Sequence, residues 1–287
     1  MQHAMSHLTH IWKNRLSKFR DNPGGIWPFL KKRLYYNFVA DRYLGAYKDF
    51  QYLNYEETID TAIRENRSVV RFGDELFDML QGIGLYFGNW RQRYHPELAG
   101  RLKEIISSED ERLLICFNPE LILKTRKEFR DMGIPEQYQF WTNSKMFLRK
   151  YYHPHIVYGS ALSFHTRYNP DLDFEKLGRY FATKDVIIVT SDTARFEGLS
   201  LGKSTAFIEA PASDAWDRYA EIYQEIVRRI KAGHLYTKDV LVMVSMGSAA
   251  KVLVYDLTKA GYVAWDTGQF FDLASKRINA LGGRSAS

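Results

Sequence analysis

Cysteine is almost absent. The 287 residues hold one, Cys116, which excludes an internal disulfide framework and any cysteine-built metal centre. So little use of disulfides points to a reducing compartment. The expected location is the cytoplasm, with the inner membrane face as the place for any peripheral contact. Cys116 lies in the apolar run RLLICFN and reads as a buried structural thiol rather than a nucleophile. No apolar stretch runs uninterrupted for the length of a membrane span. The longest candidate, VLVMVSMGSAAKVLVY, is broken by Gly247 and Lys251, and the N-terminus lacks the compact apolar core of a secretory signal. Internal repeats, low-complexity segments, a Walker loop and a GxGxxG fingerprint are also missing.

Hydrophobic residues make up 45% of the chain and aromatics 15%, enough for a substantial core, so disorder and fibre are excluded. Charge is unevenly spread. Residues 1–50 carry nine lysines and arginines against three aspartates, while the remaining 237 carry 31 of each sign. A neutral body argues against a broad nucleic-acid groove, and no nucleic-acid partner is expected. The first 50 residues interleave their basic side chains with Trp12, Trp27, Phe29, Tyr35, Phe38 and other aromatics, with NPGG at 22–25 as a break. Two readings stand for this segment. It is a helical hairpin laid on the domain, or a peripheral contact with an anionic membrane or partner protein.

From residue 51 the pattern becomes regular. A helix at 55–66 leads to the strand SVVRF and the turn Gly73-Asp74; a helical stretch follows near 75–82 and a helix at PELAGRLKEIISS. RLLICF is a strand at 112–117, and a helix spans 120–131. Beyond an aromatic, helical stretch at 136–153, strands are expected in HIVYGSALSF, DVIIVTS, STAFIEA, DVLVMVSM and YVAWDTG. Helices at 214–232 and 248–260 separate the later ones. Strands joined by helical crossovers predict an α/β fold, a Rossmann-like, mainly parallel sheet with helices on both faces. The simplest organisation is a domain over 51–287 preceded by a basic aromatic extension over 1–50.

Such sheets bind ligands beyond the C-terminal ends of their strands, where helix N-termini present unsatisfied N–H groups. Two stretches have that placement. In VSMGSAAK, Gly247 permits close backbone approach and the Ser248 hydroxyl can donate to a phosphate, unless the stretch is simply a tight strand-to-helix turn. Asp266, ending the next strand, is a candidate for a ribose or another polar ligand group, or ordinary turn chemistry. In VVRFGDELFDMLQG, Gly73 makes a turn and Asp74, Glu75 and Asp78 gather three carboxylates. Asp74 and Asp78 fall one helical turn apart, suited to sharing a divalent ion or positioning a water. The plainer reading makes Asp74 an N-cap with acids favourable in the first turn. Arg71, a cation inside a short apolar strand, needs an anionic partner, either these carboxylates or a phosphate. Arg167 and Arg195 follow strands and are candidate phosphate clamps. His153 and His155 form at most a weak metal pair.

Taken in order, these blocks resemble the bacterial glycosyltransferases of the GT-D fold, the DUF1792-like family whose characterised members extend glycans on serine-rich surface glycoproteins. The family opens close to RFGDGEF, and this chain has RFGDELF at 71–77. A block close to YGNAxxSRPY corresponds to YGSALSFHTRY at 158–168, with Arg167 matching the family arginine. IIVTSDTARFEG and EAPASDAWDRY follow. The closing block, close to SLGPTATVLAYDLxxxGYQAIDIGH, corresponds to SMGSAAKVLVYDLTKAGYVAWDTGQ at 245–269. The resemblance covers roughly residues 55–270.

The resemblance implies transfer of a hexose, typically glucose, from a UDP-sugar to a glycan, glycoprotein or surface-polymer acceptor. A divalent cation, Mn²⁺ or Mg²⁺, would assist. The family's Asp-x-Glu binds that cation at the diphosphate. Its aspartate carries over to Asp74. Direct alignment places Glu75 at the middle Gly and Leu76 at the glutamate, and a one-residue deletion brings Glu75 to the glutamate. Asp74 and Glu75 are thus the candidate metal ligands, and Asp74, Glu75 and Asp78 the candidate catalytic carboxylates. Arg71, Gly73, Arg167, Arg195, Gly247, Ser248 and Asp266 are candidates for the nucleotide. The altered motif leaves open a metal-independent enzyme, a shifted ligand such as Asp78, or a degenerate transferase serving as a scaffold or nucleotide-binding partner protein.

Overall fold

Parallel pairing explains why the expected strands are apolar at consecutive rather than alternate positions: both faces of such a sheet are covered. A computed structural model describes Phe19, residues 22–87, 90–196 and 198–271, and Arg277. Its strands are β1 (Gln51–Tyr52), β2 (Ser68–Arg71), β3 (Leu85–Phe87), β4 (Trp90–Gln92), β5 (Leu113–Phe117), β6 (Val157–Ser160), β7 (Asp185–Thr190), β8 (Ser204–Glu209), β9 (Val240–Ser245) and β10 (Val263–Asp266). All but β3 and β4 join one eight-stranded sheet in the order β1-β6-β5-β2-β10-β9-β7-β8, and every pairing in it is parallel. Along β5 every residue is buried, and along β9 all but the last. The fold is therefore α/β with a parallel sheet, as the sequence predicts.

The chain divides into two compact units, one of residues 51–72, 108–118 and 155–287, the other of 1–50, 73–107 and 119–154. The first holds the whole sheet. Its core gathers around Trp265, which stacks on Tyr180 with ring centroids 5.2 Å apart and meets Phe164 at 5.4 Å. The indole N–H donates to the Arg67 carbonyl at 3.0 Å, so the ring's polar handle is satisfied inside the core. The helix Tyr55–Arg64 begins at a capping box: the Asn54 side chain accepts from the Glu57 N–H, and the Glu57 carboxylate accepts from the Asn54 N–H. The helix expected over 214–232 starts after Asp214, which takes a left-handed backbone at φ 52°, and divides into a 3-10 turn at Ala215–Arg218 and the helix Tyr219–Ala232 where Arg218 leaves helical geometry at φ −112°.

The second unit contains the antiparallel pair β3–β4 and several helices. Helical turns run without a break from Pro23 to Tyr47, including a π-turn at Lys32–Tyr36. The basic residues Lys13, Arg15, Lys18 and Arg20 lie outside the described residues. Tyr36, Val39 and Ala40 pack with Met146 of the helix Tyr138–Phe147. That helix buries Lys145, which pairs with Asp41 at 2.9 Å and stands 4.5 Å from the centre of the Tyr138 ring. The helix expected over 120–131 is two helices, Pro119–Ile122 and Arg126–Asp131. Thr125 and Glu128 form a second capping box, which starts a new helix in mid-pattern.

Candidate functional site

In the second unit, Gly73 is the N-cap of the helix Asp74–Met79, in extended conformation. Asp74 is therefore the first helical residue and not the cap, which corrects the plainer sequence reading. A Cβ at Gly73 would collide with the Glu75 carboxylate, so this position accepts only glycine while Glu75 keeps its place. Asp74 and Glu75 are hydrogen-bonded through their side chains. Asp74 retains some open surface but is enclosed by protein on most sides. Burial first, then the Glu75 charge, raises its pKa well above the usual carboxylate range; Asp78 adds to the rise and Lys32 opposes it. Asp78, one turn on, accepts from Lys32 Nζ at 2.8 Å and from Asn143 Nδ2. Both donors meet the same oxygen, Oδ1, and tie the carboxylate to Lys32 and Asn143.

Among the described residues no group of three or more His, Cys, Asp and Glu is arranged to hold a metal ion. The chemistry of the Asp74–Glu75 pair nevertheless fits a hard divalent cation. Mg²⁺ is commonly held by one or two carboxylates, with substrate phosphates and waters completing its shell. Two neighbouring carboxylates, with Lys32 the one cation acting on Asp74, are the oxygen donors such an ion needs. His155 lies 3.7 Å from Glu109.

In the sheet unit, β2 and β10 are neighbours at the centre of the sheet. From β2 the chain steps outward to β5 on one side, and it arrives at β10 from β9 on the other. That reversal is a switch point, the usual place for a ligand on an open parallel sheet. Arg71 ends β2 and Asp266 ends β10. The Arg71 guanidinium donates to the Ala161 carbonyl at 2.9 Å, and its Nε lies 3.9 Å from Asp266. Lys251 Nζ lies 2.9 Å from the other Asp266 oxygen and donates to the Gly247 carbonyl at 3.1 Å. The anion that Arg71 requires is thus Asp266 in this structure. With 1% of its side chain exposed, Asp266 is a buried counter-ion between two cations. This replaces its reading as a direct contact to ribose.

Gly247 turns at φ 62° into Ser248, the N-cap of the 11-residue helix Ala249–Lys259. Four buried polar atoms here lack a hydrogen-bond partner among the described residues: Arg71 Nε, Ser248 Oγ, His165 Nδ1 and Asp266 Oδ2, the last of which is met by the Lys251 charge at 2.9 Å. Buried polar groups are rarely left unpaired, and these stand at the strand ends, where a polar ligand of a parallel sheet would find partners. Two cations and one carboxylate leave one positive charge, and the N-terminus of Ala249–Lys259 adds a partial one. The arrangement favours an anion.

His165 is hydrogen-bonded to the Gln269 side chain. Burial, then Arg71 and Arg167, lower its pKa below the ordinary histidine value, so the imidazole is neutral near pH 7. Arg167 is exposed. Arg195 falls in the 3-10 turn Ala194–Phe196 after β7, and its side chain lies outside the described residues. Burial pushes the Cys116 thiol up to about 12, as befits a structural cysteine.

Lys251, Lys32, Asn143 and His165 are the site residues that sequence reasoning missed. Lys251 had a signal, a cation at a position where its helix is otherwise small and apolar. Lys32 and Asn143 had none, because each reaches Asp78 from far along the chain.

Gly268 is a local test of this geometry. It sits at φ 52°, and a Cβ there would strike the Arg71 guanidinium. Gly268→Ala is expected to cost about 1–2 kcal/mol, from the left-handed backbone and displacement of Arg71, read as a lower urea midpoint at unchanged m-value.

Residues 69–272 match the family model for the glycosyltransferase GT-D fold, and the chain belongs to that family. A probable glycosyl transferase of Streptococcus gordonii is 29% identical over 238 residues, covering 75% of this chain and 31% of that protein. The glycosyltransferase GlyD of Streptococcus pneumoniae is 29% identical over 226 residues, covering 74% of this chain and 26% of that protein. The chain thus spans about a third or less of the length of these relatives. A solved structure of the domain of unknown function 1792, described as having a distinct glycosyltransferase fold, superposes with a TM-score of 0.67 at 23% identity over 86% of each chain. A new glycosyltransferase (DUF1792) from Streptococcus sanguinis gives 0.59 at 25% identity, over 81% of this chain and 85% of that one.

Proposed function

We propose that this chain transfers a hexose, with glucose from UDP-glucose as the leading donor, to a glycan or surface-polymer acceptor with the help of Mn²⁺ or Mg²⁺. The observation that carries this reading is the set of unpaired buried polar atoms on Arg71, Ser248 and His165 at the switch point, beside a helix N-terminus, in a member of a glycosyltransferase family. Departure of a nucleoside diphosphate needs its developing charge stabilised. Arg71 offers a guanidinium held rigid by Ala161 and Asp266, and Ser248 a hydroxyl. The turn at Gly247 brings backbone close without a side chain in the way. Lys251 keeps Asp266 neutralised, so that Arg71 is aimed rather than consumed by its counter-ion. Asp74 and Glu75 would hold the cation, whose chemistry is to neutralise a leaving diphosphate. The neutral His165, with its unpaired Nδ1, is the group able to accept a proton at pH 7.

Binding and slow hydrolysis of UDP-, GDP-, dTDP- and CMP-sugars by the purified protein, with Mn²⁺, with Mg²⁺ and with EDTA, test the proposal. The expected result is selective binding of a UDP-hexose with slow release of the sugar, abolished by EDTA. Binding of no donor under any condition overturns it. Donor binding without turnover, with or without metal, would move the protein to the scaffold reading that the altered Asp-x-Glu raised.

A further inference from the structure

The helical segment 26–39 carries large apolar side chains on the face opposite the one it buries. Lys32, Tyr36 and Val39 turn inward. Trp27, Leu30, Leu34 and Phe38 recur at intervals of three and four residues, the spacing of a single helical stripe. They are 71%, 40%, 72% and 71% exposed. Single exposed apolar residues are ordinary, but a stripe of four including a tryptophan and a phenylalanine is not. Lys31 and Arg33, also exposed, stand among them.

We infer that this stripe docks the protein on an anionic lipid surface. An apolar face bearing Trp, Phe and Leu and edged by lysine and arginine is the composition of a helix lying in a membrane interface. Charge argues for lipid over another copy of the chain. Segment 26–39 holds three cations and no acid, and the two that are exposed, Lys31 and Arg33, complement anionic headgroups and would repel their own copies across a two-fold contact. The stripe lies before residue 69, where the family match begins, on the face of the segment opposite the one that packs on Met146. No helix among the described residues is long and apolar enough to cross a membrane; the contact is one of lying on the surface.

Flotation of the full chain with vesicles tests this. Neutral phosphatidylcholine is compared with the same lipid containing about one third phosphatidylglycerol, at low and at high salt. The expected result is flotation with anionic vesicles that weakens as salt rises, and little with neutral ones. Trp27→Ser with Phe38→Ser should lower the bound fraction about tenfold, and Lys31→Glu with Arg33→Glu by a similar factor, both with unchanged circular dichroism. These side chains are exposed, so the variants should fold. Equal flotation of wild type and variants overturns the inference, as does absence of flotation. A concentration-dependent dimer in sedimentation that the Trp27/Phe38 variant loses would assign the stripe to self-association instead. Donor binding in the same variants separates this result from failure of the transferase reading.

Discussion

Asp74→Asn is expected to lower sugar transfer by about 10²–10³-fold, the range for loss of one charge-stabilising group at a reacting centre, while raising thermal stability by a few degrees. The two effects share an origin. In the folded protein Asp74 touches Glu75 and faces Asp78, with Lys32 as the countering cation. The folded state therefore keeps a proton on Asp74 to higher pH than the unfolded chain does. By linkage this favours folding fully below the ordinary aspartate pKa, and the benefit is lost as pH rises through the raised one. Asparagine carries no charge to be penalised. Wild type should lose stability relative to the variant from about pH 4 upward, and melting curves across that range show it directly. Mn²⁺ should raise the melting temperature of wild type and leave the variant unmoved. An Asp74→Asn protein that keeps its transfer rate would remove Asp74 from the chemistry. One that loses both activity and stability would make its role structural.

Lys251→Met should strongly destabilise the sheet unit. It leaves the Asp266 carboxylate inside the protein with only Arg71 at 3.9 Å and the Gly268 N–H at 3.3 Å. Removing one partner of a buried ion pair costs about 3–5 kcal/mol, because an uncompensated charge stays behind. The residual partners place the expected cost near the lower end, about 3 kcal/mol. Methionine conserves the stem's volume, so the loss reports charge rather than packing. Adding Asp266→Asn should recover most of that loss, since the pair is then removed together. Urea unfolding of the two single variants and the double variant measures the coupling. The double variant should regain stability without regaining donor affinity, because Arg71 would no longer be held in place by a carboxylate.

The sheet was legible because its strands are long, apolar and separated by amphipathic helices. SVVR, LLICF, DVIIVT and VLVMVS each announce a covered parallel strand, and the Asn54–Glu57 capping box can be read directly from NYEE. The break at Thr125 was less visible, because its apolar pattern continues on both sides while a hydroxyl and a carboxylate restart the helix. At the site, residue types near the strand ends were readable and their partners were not. Arg71 announced its need for an anion, but its distance to Asp266 depends on β2 and β10 lying side by side, a matter of strand order. Asp78 was visible as an acid and silent about Lys32 and Asn143, which arrive from elsewhere in the chain. Periodicity reports which face of an element is buried; it does not report which distant charge will be found there.

The adjacency of β2 and β10 also governs how the protein is made. Ala264 donates its N–H to the Ser68 hydroxyl across a sequence separation of 196 residues, so the middle of the sheet is filled by a strand synthesised long after β2. At about 5–20 residues per second on the ribosome, β2 waits about 10–40 s for β10. During that interval one edge of β2 has no partner strand, and β9 adds a second open edge for only the last ~1–5 s, each a template for wrong pairing. Until β10 is made, the uncompleted centre of the sheet is the surface that a chaperone would have to shield.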